Sequence, residues 1–178
     1  VDLSNGNYHL IEKKVVMEGQ KTAYFSEKFL EITVPVTTKE QIKEIKKTVT
    51  HIAKKHDEEP YKALATTQQA IFHQLEEQDE IDAAAIFDKV FEEKPLAREA
   101  AQLAITEERV PEKIAVTNVP KYERKYSKQK FKLYNGIEIT IPSEIYENKE
   151  MVEFINNPDG SVSVLIKNIE SILNKFNA

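Results

Sequence analysis

Two turn signals close together near the C-terminal end constrain what this chain can fold into more than any other feature. Lys130–Tyr134 and Ile137–Ile141 are short runs rich in aromatic and β-branched residues, separated by Asn135-Gly136. That pair tolerates positive φ at both positions and predicts a two-residue hairpin turn. Met151–Ile155 and Val162–Lys167 flank Asn156-Asn157-Pro158-Asp159-Gly160-Ser161. Here Pro158 presets φ and Gly160 can go left-handed, which predicts a second hairpin. Alternation puts Ile137, Ile139 and Ile141 on one strand face and Val162, Val164 and Ile166 on another, each triplet able to cover a buried surface. Between the hairpins, Ser143-Glu144-Ile145-Tyr146-Glu147 after Pro142 predicts one or two helical turns. Beyond them, Asn168–Phe176 spaces Ile169, Ile172, Leu173 and Phe176 as a closing helix that packs on the sheet.

The chain before these hairpins reads mainly as helix. Thr37 and Glu40 have capping-box spacing, and Pro60 sets a limit on the far side, so a helix is predicted over Thr37–Glu59. Ile42, Ile45, Val49, Ile52 and Ala53 make its apolar stripe. Roughly opposite, at about 100° per residue, lie Lys39, Lys43, Lys46, Lys47 and Lys54. Pro60 then serves as the first-turn residue of a second helix carrying Leu64, Ile71, Phe72 and Leu75. Asp82 caps a short third helix with Ile86, Phe87, Val90 and Phe91 inside. A fourth, Leu96–Glu108, is rich in alanine and suited to close helix approach. Arg98 and Arg109 read as surface or ion-pair residues. Val110-Pro111 and Val119-Pro120 punctuate a linker. The N-terminal part offers a turn at Asn5-Gly6-Asn7, a strand within Tyr8–Met17, a turn at Glu18-Gly19-Gln20, and a segment Thr22–Val36 whose Phe29–Val34 leans to strand. The expected organisation is α+β: residues 1–118 mainly helical with N-terminal strand character, and residues 119–178 an α+β hairpin subdomain.

Six cations, Lys121, Arg124, Lys125, Lys128, Lys130 and Lys132, stand against Glu123 alone at the front edge of that subdomain, a local balance of +5. Tyr122, Tyr126 and Phe131 are interleaved with them. Such a segment can lay cations along a phosphate backbone while its rings anchor it to the fold or touch sugars. On the residues alone, the alternative is a basic loop that offsets acidic neighbours, and the lysine face of the first helix has its own bland reading as a solvated surface. The net charge of −5 argues against a uniformly basic coat, so any anion-binding surface is local.

Other function classes find little support. The chain has no cysteine, which excludes a disulfide framework and a cysteine-type zinc site. His9, His51, His56 and His73 form no HExxH pair, and neither GxxxxGK[ST] nor GxGxxG occurs. Ser143 and Ser161 lack a nucleophile-elbow context, and no carboxylate pair stands out. No catalytic residue, metal site or cofactor is therefore expected. No apolar run approaches a membrane span, and no basic-then-apolar signal segment opens the chain, which begins at Val1 as a truncated or processed product would.

A Lys-Phe strand, a turn into Gly136-Ile137-Glu138-Ile139, an acidic link, a Glu153-Phe154 strand, an Asn157-Pro158-Asp159-Gly160 turn and a Val164-Leu165-Ile166-Lys167-Asn168 exit follow one another in this chain. That order resembles the C-terminal end of the bacterial nucleoid-associated protein family of the NdpA/YejK type. The resemblance implies binding to double-stranded DNA in the cytoplasm, at the nucleoid, with no enzymatic reaction. Members are longer, so it also implies that an N-terminal portion is missing. It assigns no individual DNA contact. With the resemblance added, the expectation is duplex binding through Lys121, Arg124, Lys125, Lys128, Lys130 and Lys132, with Lys39, Lys43, Lys46 and Lys47 as a second contact. Without a helix-turn-helix, zinc-finger or ribbon signature, contact would be to backbone and shape rather than bases. The rival expectation is a protein-interaction or self-assembly module using a sheet edge or the alanine-rich helix, forming a homo-oligomer without DNA.

Overall fold

Prolines open several helices of this chain, and side-chain caps or a left-handed residue bound others. The structure, a computed structural model, describes residues 12–13, 15–17, 20–22, 24–30, 36–107 and 109–173. It divides into two compact units, Val1–Thr37 and Thr38–Ala178.

In the first unit, β1 (Val15–Met17) pairs antiparallel with β2 (Gln20–Thr22), Val15 facing Thr22 and Met17 facing Gln20. A π-type helical turn follows at Tyr24–Phe29. The Glu12 carboxylate accepts from the Phe25 N–H, from the Ser26 N–H at 3.1 Å and from the Ser26 hydroxyl at 2.6 Å. Those bonds satisfy free donors at the start of the turn. Phe29, expected in a strand, belongs to this turn and stacks on Phe25 at 5.3 Å. The turn expected at Asn5-Gly6-Asn7 and the strand reading over residues 31–34 lie outside the described residues.

The second unit opens with α1 (Thr38–Lys55) and α2 (Pro60–Glu77). All five stripe residues of α1, Ile42 to Ala53, are buried as their spacing predicts. Each fully buried isoleucine contributes about 1.5–3 kcal/mol. The helix stops at Lys55 rather than continuing to Glu59. Asp57 takes φ +52, and the Glu58 N–H donates to the Ala53 carbonyl at 2.9 Å, so a Schellman-type closure ends it before Pro60 acts. Pro60 instead starts α2, the most enclosed helix, buried from Ala63 through Leu75 on more than one face.

β3 (Glu80–Asp82) leads into α3 (Ala83–Val90), where the Asp82 carboxylate accepts from the Ala85 N–H at 2.9 Å. α4 (Pro95–Thr106) buries Ala97, Ala101 and Ala104 along one face, while Leu96 and Leu103 stay exposed. The stretch expected as a linker is part of the core instead. β4 (Lys113–Ala115) pairs antiparallel with β3, and Val110, Ile114 and Val116 are buried. Val119-Pro120, read as punctuation, begins α5 (Val119–Tyr126). Asn118 caps it by accepting from the Lys121 N–H at 3.2 Å, and Pro120 fits the first turn, where no N–H is needed.

The two predicted hairpins form, β5 (Lys128–Lys132) with β6 (Glu138–Pro142) and β7 (Val152–Asn156) with β8 (Val162–Ile166), joined by the short α6 (Ser143–Glu147). Each is its own two-stranded ladder. The first turn is not the two-residue form predicted from Asn135-Gly136. Leu133 and Ile137 close the ladder, the Gly136 N–H donates to the Leu133 carbonyl at 3.0 Å, and Gly136 alone turns left-handed, at φ +89. The loop is therefore the three residues Tyr134-Asn135-Gly136, a turn followed by a glycine bulge. Asn157, Gly160 and Ser161 repeat the same device, with Gly160 at φ +81.

Burial departs from the expected faces in the second hairpin. Ile141 is buried and Ile139 half-buried, but Val162 and Ile166 are exposed and Val164 is only half-buried. Residues 167–173 carry no regular secondary structure, so the closing helix predicted from Asn168 does not form over 168–173; residues 174–176 of that prediction lie outside the described residues. Asn168 takes φ +54, which breaks helical continuation at its first residue, and Ile169, Ile172 and Leu173 find no surface to cover. Helical periodicity over so few residues cannot hold a helix without packing.

Candidate nucleic-acid interface

The basic segment is divided between a helix and a strand. Lys121, Arg124 and Lys125 project from α5, whose Tyr126 is buried and stacks on Tyr122 at 6.4 Å. Lys128, Lys130 and Lys132 occupy alternate positions of β5 and are exposed, while Gln129 and Phe131 face inward. The strand period thus sorts cations from anchors, and alternate lysines recur about every 6.8 Å. All six predicted cations of this segment are exposed. Among the described residues, Lys132 alone of the six meets a carboxylate within 4.0 Å, Glu138 at 3.8 Å, with both side chains well solvated. Such a pair contributes little.

Side-chain amides fix this arrangement to α2. Gln68 Nε2 donates to the Tyr126 carbonyl at 3.2 Å and to the Lys128 carbonyl at 2.7 Å. Gln129, buried within the hairpin base, donates from Nε2 to the Ala65 carbonyl at 2.9 Å. The Ser143 hydroxyl donates to the Tyr126 carbonyl at 2.7 Å, and the Ser143 N–H to the Ser127 carbonyl at 2.9 Å. Backbone carbonyls at the α5–β5 junction, that of Tyr126 among them in a buried bond, are thereby satisfied, which holds the junction to one geometry. Sequence reasoning singled out none of Gln68, Gln129 or the Ser143 bond. Only the alternation Lys128-Gln129-Lys130-Phe131-Lys132 points to Gln129 as an inward residue.

Of the four α1 lysines predicted as a second contact, Lys46 joins the cluster. It is half-buried, its Nζ lies 5.2 Å from the Tyr126 ring centroid, and Lys125 Nζ lies 5.1 Å from the same centroid. Burial first, and then the charge of Lys125, hold the Lys46 ammonium below the ordinary lysine range. Burial also pushes the Tyr126 phenol up to about 12. Lys47 turns elsewhere: it pairs with Glu44 at 2.7 Å and lines a shallow pocket between α1 and α4 with His51, Lys55 and Arg109. Lys39 and Lys43 are exposed, with no carboxylate partner within 4.0 Å among the described residues. Adjacent residues on a helix diverge by about 100°, so one lysine face serves two neighbours.

A groove of about 550 Å³ runs along β5, bounded by Lys46 of α1, by Tyr61, Leu64 and Gln68 of α2, and by Phe154 and Val164 of the second hairpin. Phe131, Tyr146 and Phe154 pack together beneath it at centroid distances of 5.1–5.7 Å, joining the two hairpins. Tyr134 stands fully exposed at its mouth.

Among the described residues no group of His, Asp and Glu has the arrangement of a metal site, and no helix is long and apolar enough to cross a membrane. His73 sits 3.7 Å from Glu147, His51 is exposed, and His9 lies outside the described residues. A family model described as nucleoid-associated protein YejK matches residues 2–174, nearly the whole chain. No curated protein and no solved structure matches it.

Proposed function

The chain belongs to the nucleoid-associated protein YejK family, and from that premise we propose that it binds double-stranded DNA in the bacterial nucleoid, mainly through phosphates and without catalysing a reaction. One observation carries the reading. Lys121, Arg124, Lys125, Lys128 and Lys130, all exposed and without a carboxylate partner among the described residues, lie on one rigidly anchored helix–strand unit beside Lys46. Phosphates match the charge and spacing of such a unit. Affinity then comes from charge neutralisation and counterion release. Lys39 and Lys43 extend the contact along α1, and Lys47, engaged by Glu44, contributes less.

Duplex binding measured at several salt concentrations tests this. With about five phosphates neutralised, the log–log slope is roughly −4 to −5. A flat salt response would remove phosphate neutralisation as the mechanism.

A second reading, self-assembly, is favoured by a separate feature. Among the described residues β8 has a single hydrogen-bonded neighbour, and Val162, Leu165 and Ile166 are exposed on it, followed by exposed Ile169, Ile172 and Leu173. An apolar strand with a free edge is a site for pairing with another copy. A mass that rises with concentration in light scattering supports assembly; a constant monomer mass rejects it.

A further inference from the structure

We propose that the groove along β5 takes an unpaired nucleotide of single-stranded DNA, its base against the aromatic residues and its phosphates on Lys46, Lys130 and Lys132. The groove's volume of about 550 Å³ lies in the range of small-ligand sites. Among the described residues its lining includes those three lysines and no carboxylate, so it is complementary to an anion. Tyr61, Phe131, Tyr134 and Phe154 line it as well, which adds flat apolar surfaces beside the cations. Cations following a backbone next to rings that stack bases are the two components of single-strand recognition.

The alternatives fit less well. A duplex keeps its base faces stacked and could use only the lysines. A peptide strand adding to β5 would meet a lysine at each of positions 128, 130 and 132, the kind of charged edge that opposes strand addition. Tyr134 is the informative residue. It is fully exposed at the tip of a hairpin loop, so the fold does not use its ring, and it stands where a base entering the groove would meet it. The inference goes beyond duplex binding and does not depend on it.

The test uses the full chain and four labelled probes: an oligothymidylate, an abasic phosphodiester oligomer of the same length, a random-sequence duplex, and anionic phosphatidylglycerol vesicles. The expected result is that the oligothymidylate binds at least about tenfold more tightly than the abasic oligomer, and that Tyr134→Ala removes about tenfold of that affinity while leaving duplex binding unchanged. Equal affinity for oligothymidylate and abasic oligomer overturns the proposal, as does a Tyr134→Ala variant that binds oligothymidylate normally. Binding of anionic lipid vesicles in place of oligothymidylate also overturns it and assigns the groove to a lipid. The duplex arm keeps the outcomes separate: its failure alone strikes only the duplex reading, and failure of the base-dependent arm alone strikes only this one.

Discussion

Lys46 and Lys125 stand on different helices, yet their ammonium groups approach one ring, that of Tyr126, at centroid distances of 5.2 and 5.1 Å. No carboxylate lies within ion-pair distance of either among the described residues. Two like charges are held together by what surrounds them. The ring face attracts each cation, while burial and mutual repulsion oppose the charge on Lys46. An anion brought to this spot relieves the repulsion, which links a local electrostatic conflict to ligand binding.

The conflict predicts a pH response with a definite sign. Lys125→Ala removes the repulsion but leaves the burial, so the Lys46 pKa rises toward, without reaching, its ordinary value. Side-chain resonance titration of lysine-labelled protein measures it. Lys46 is depressed when folded, so the unfolded chain binds more protons between the depressed value and about 10.5. This group's contribution therefore makes stability increase as pH rises through that window, and Lys125→Ala narrows the window. An unshifted Lys46 titration in that variant would mean that the two ammonium groups do not interact.

Gln129→Ala removes one of the side-chain bonds that tie the basic hairpin to α2 and leaves those of Gln68. The substitution removes the buried amide that reaches Ala65 and leaves a space beneath the strand. A loss of about 1–3 kcal/mol is expected, read as a lower urea midpoint. Duplex affinity then falls as well, although no charge has been removed, because the lysines lose part of their common scaffold.

Asn118→Ala removes the cap of the helix that carries Lys121, Arg124 and Lys125. The expected cost is about 1 kcal/mol in thermal or urea unfolding, and Asn118→Asp recovers most of it because a carboxylate accepts the same N–H bond. An unchanged Asn118→Ala variant would show that Pro120 and tertiary packing alone fix α5.

The parts of this fold that could be read from the sequence are those written as a period or a turn. The five apolar positions of α1 are all buried because a 3.6-residue repeat has one physical solution. The hairpins follow from Asn135-Gly136 and Pro158-Asp159-Gly160, but the first turn takes one residue more than predicted. Asn135 does not adopt the positive φ that a two-residue turn needs, and its carboxamide oxygen instead accepts from the Ile137 N–H at 3.2 Å. Prolines misled where they were read as breaks: Pro120 opens α5, and the residues between Pro111 and Pro120 supply β4, the buried Ile114 and Val116, and the half-buried Val119 to the core. The closing segment misled in the other direction, with apolar spacing over Ile169, Ile172 and Leu173 but no partner surface.

The candidate site divides in the same way. The cation cluster was visible as composition, and strand alternation sorts it. The amides that anchor it were not, because a glutamine bonded to a distant carbonyl leaves no periodic trace. The separate fates of Lys46 and Lys47 were hidden too: the Glu44–Lys47 pair is local to α1, but only tertiary packing puts Tyr126 beside Lys46 and an α4-facing pocket beside Lys47.

The most direct test of the duplex account is the affinity of an Arg124→Ala, Lys125→Ala, Lys128→Ala triple variant for a random-sequence duplex, followed across salt concentrations with circular dichroism as the folding control. The account predicts a folded protein, weaker binding to every sequence alike, and a log–log salt slope shallower by roughly three phosphate contacts, about 2.7 units. A folded triple variant with unchanged affinity and unchanged slope would contradict it, and would remove Arg124, Lys125 and Lys128 from any duplex contact.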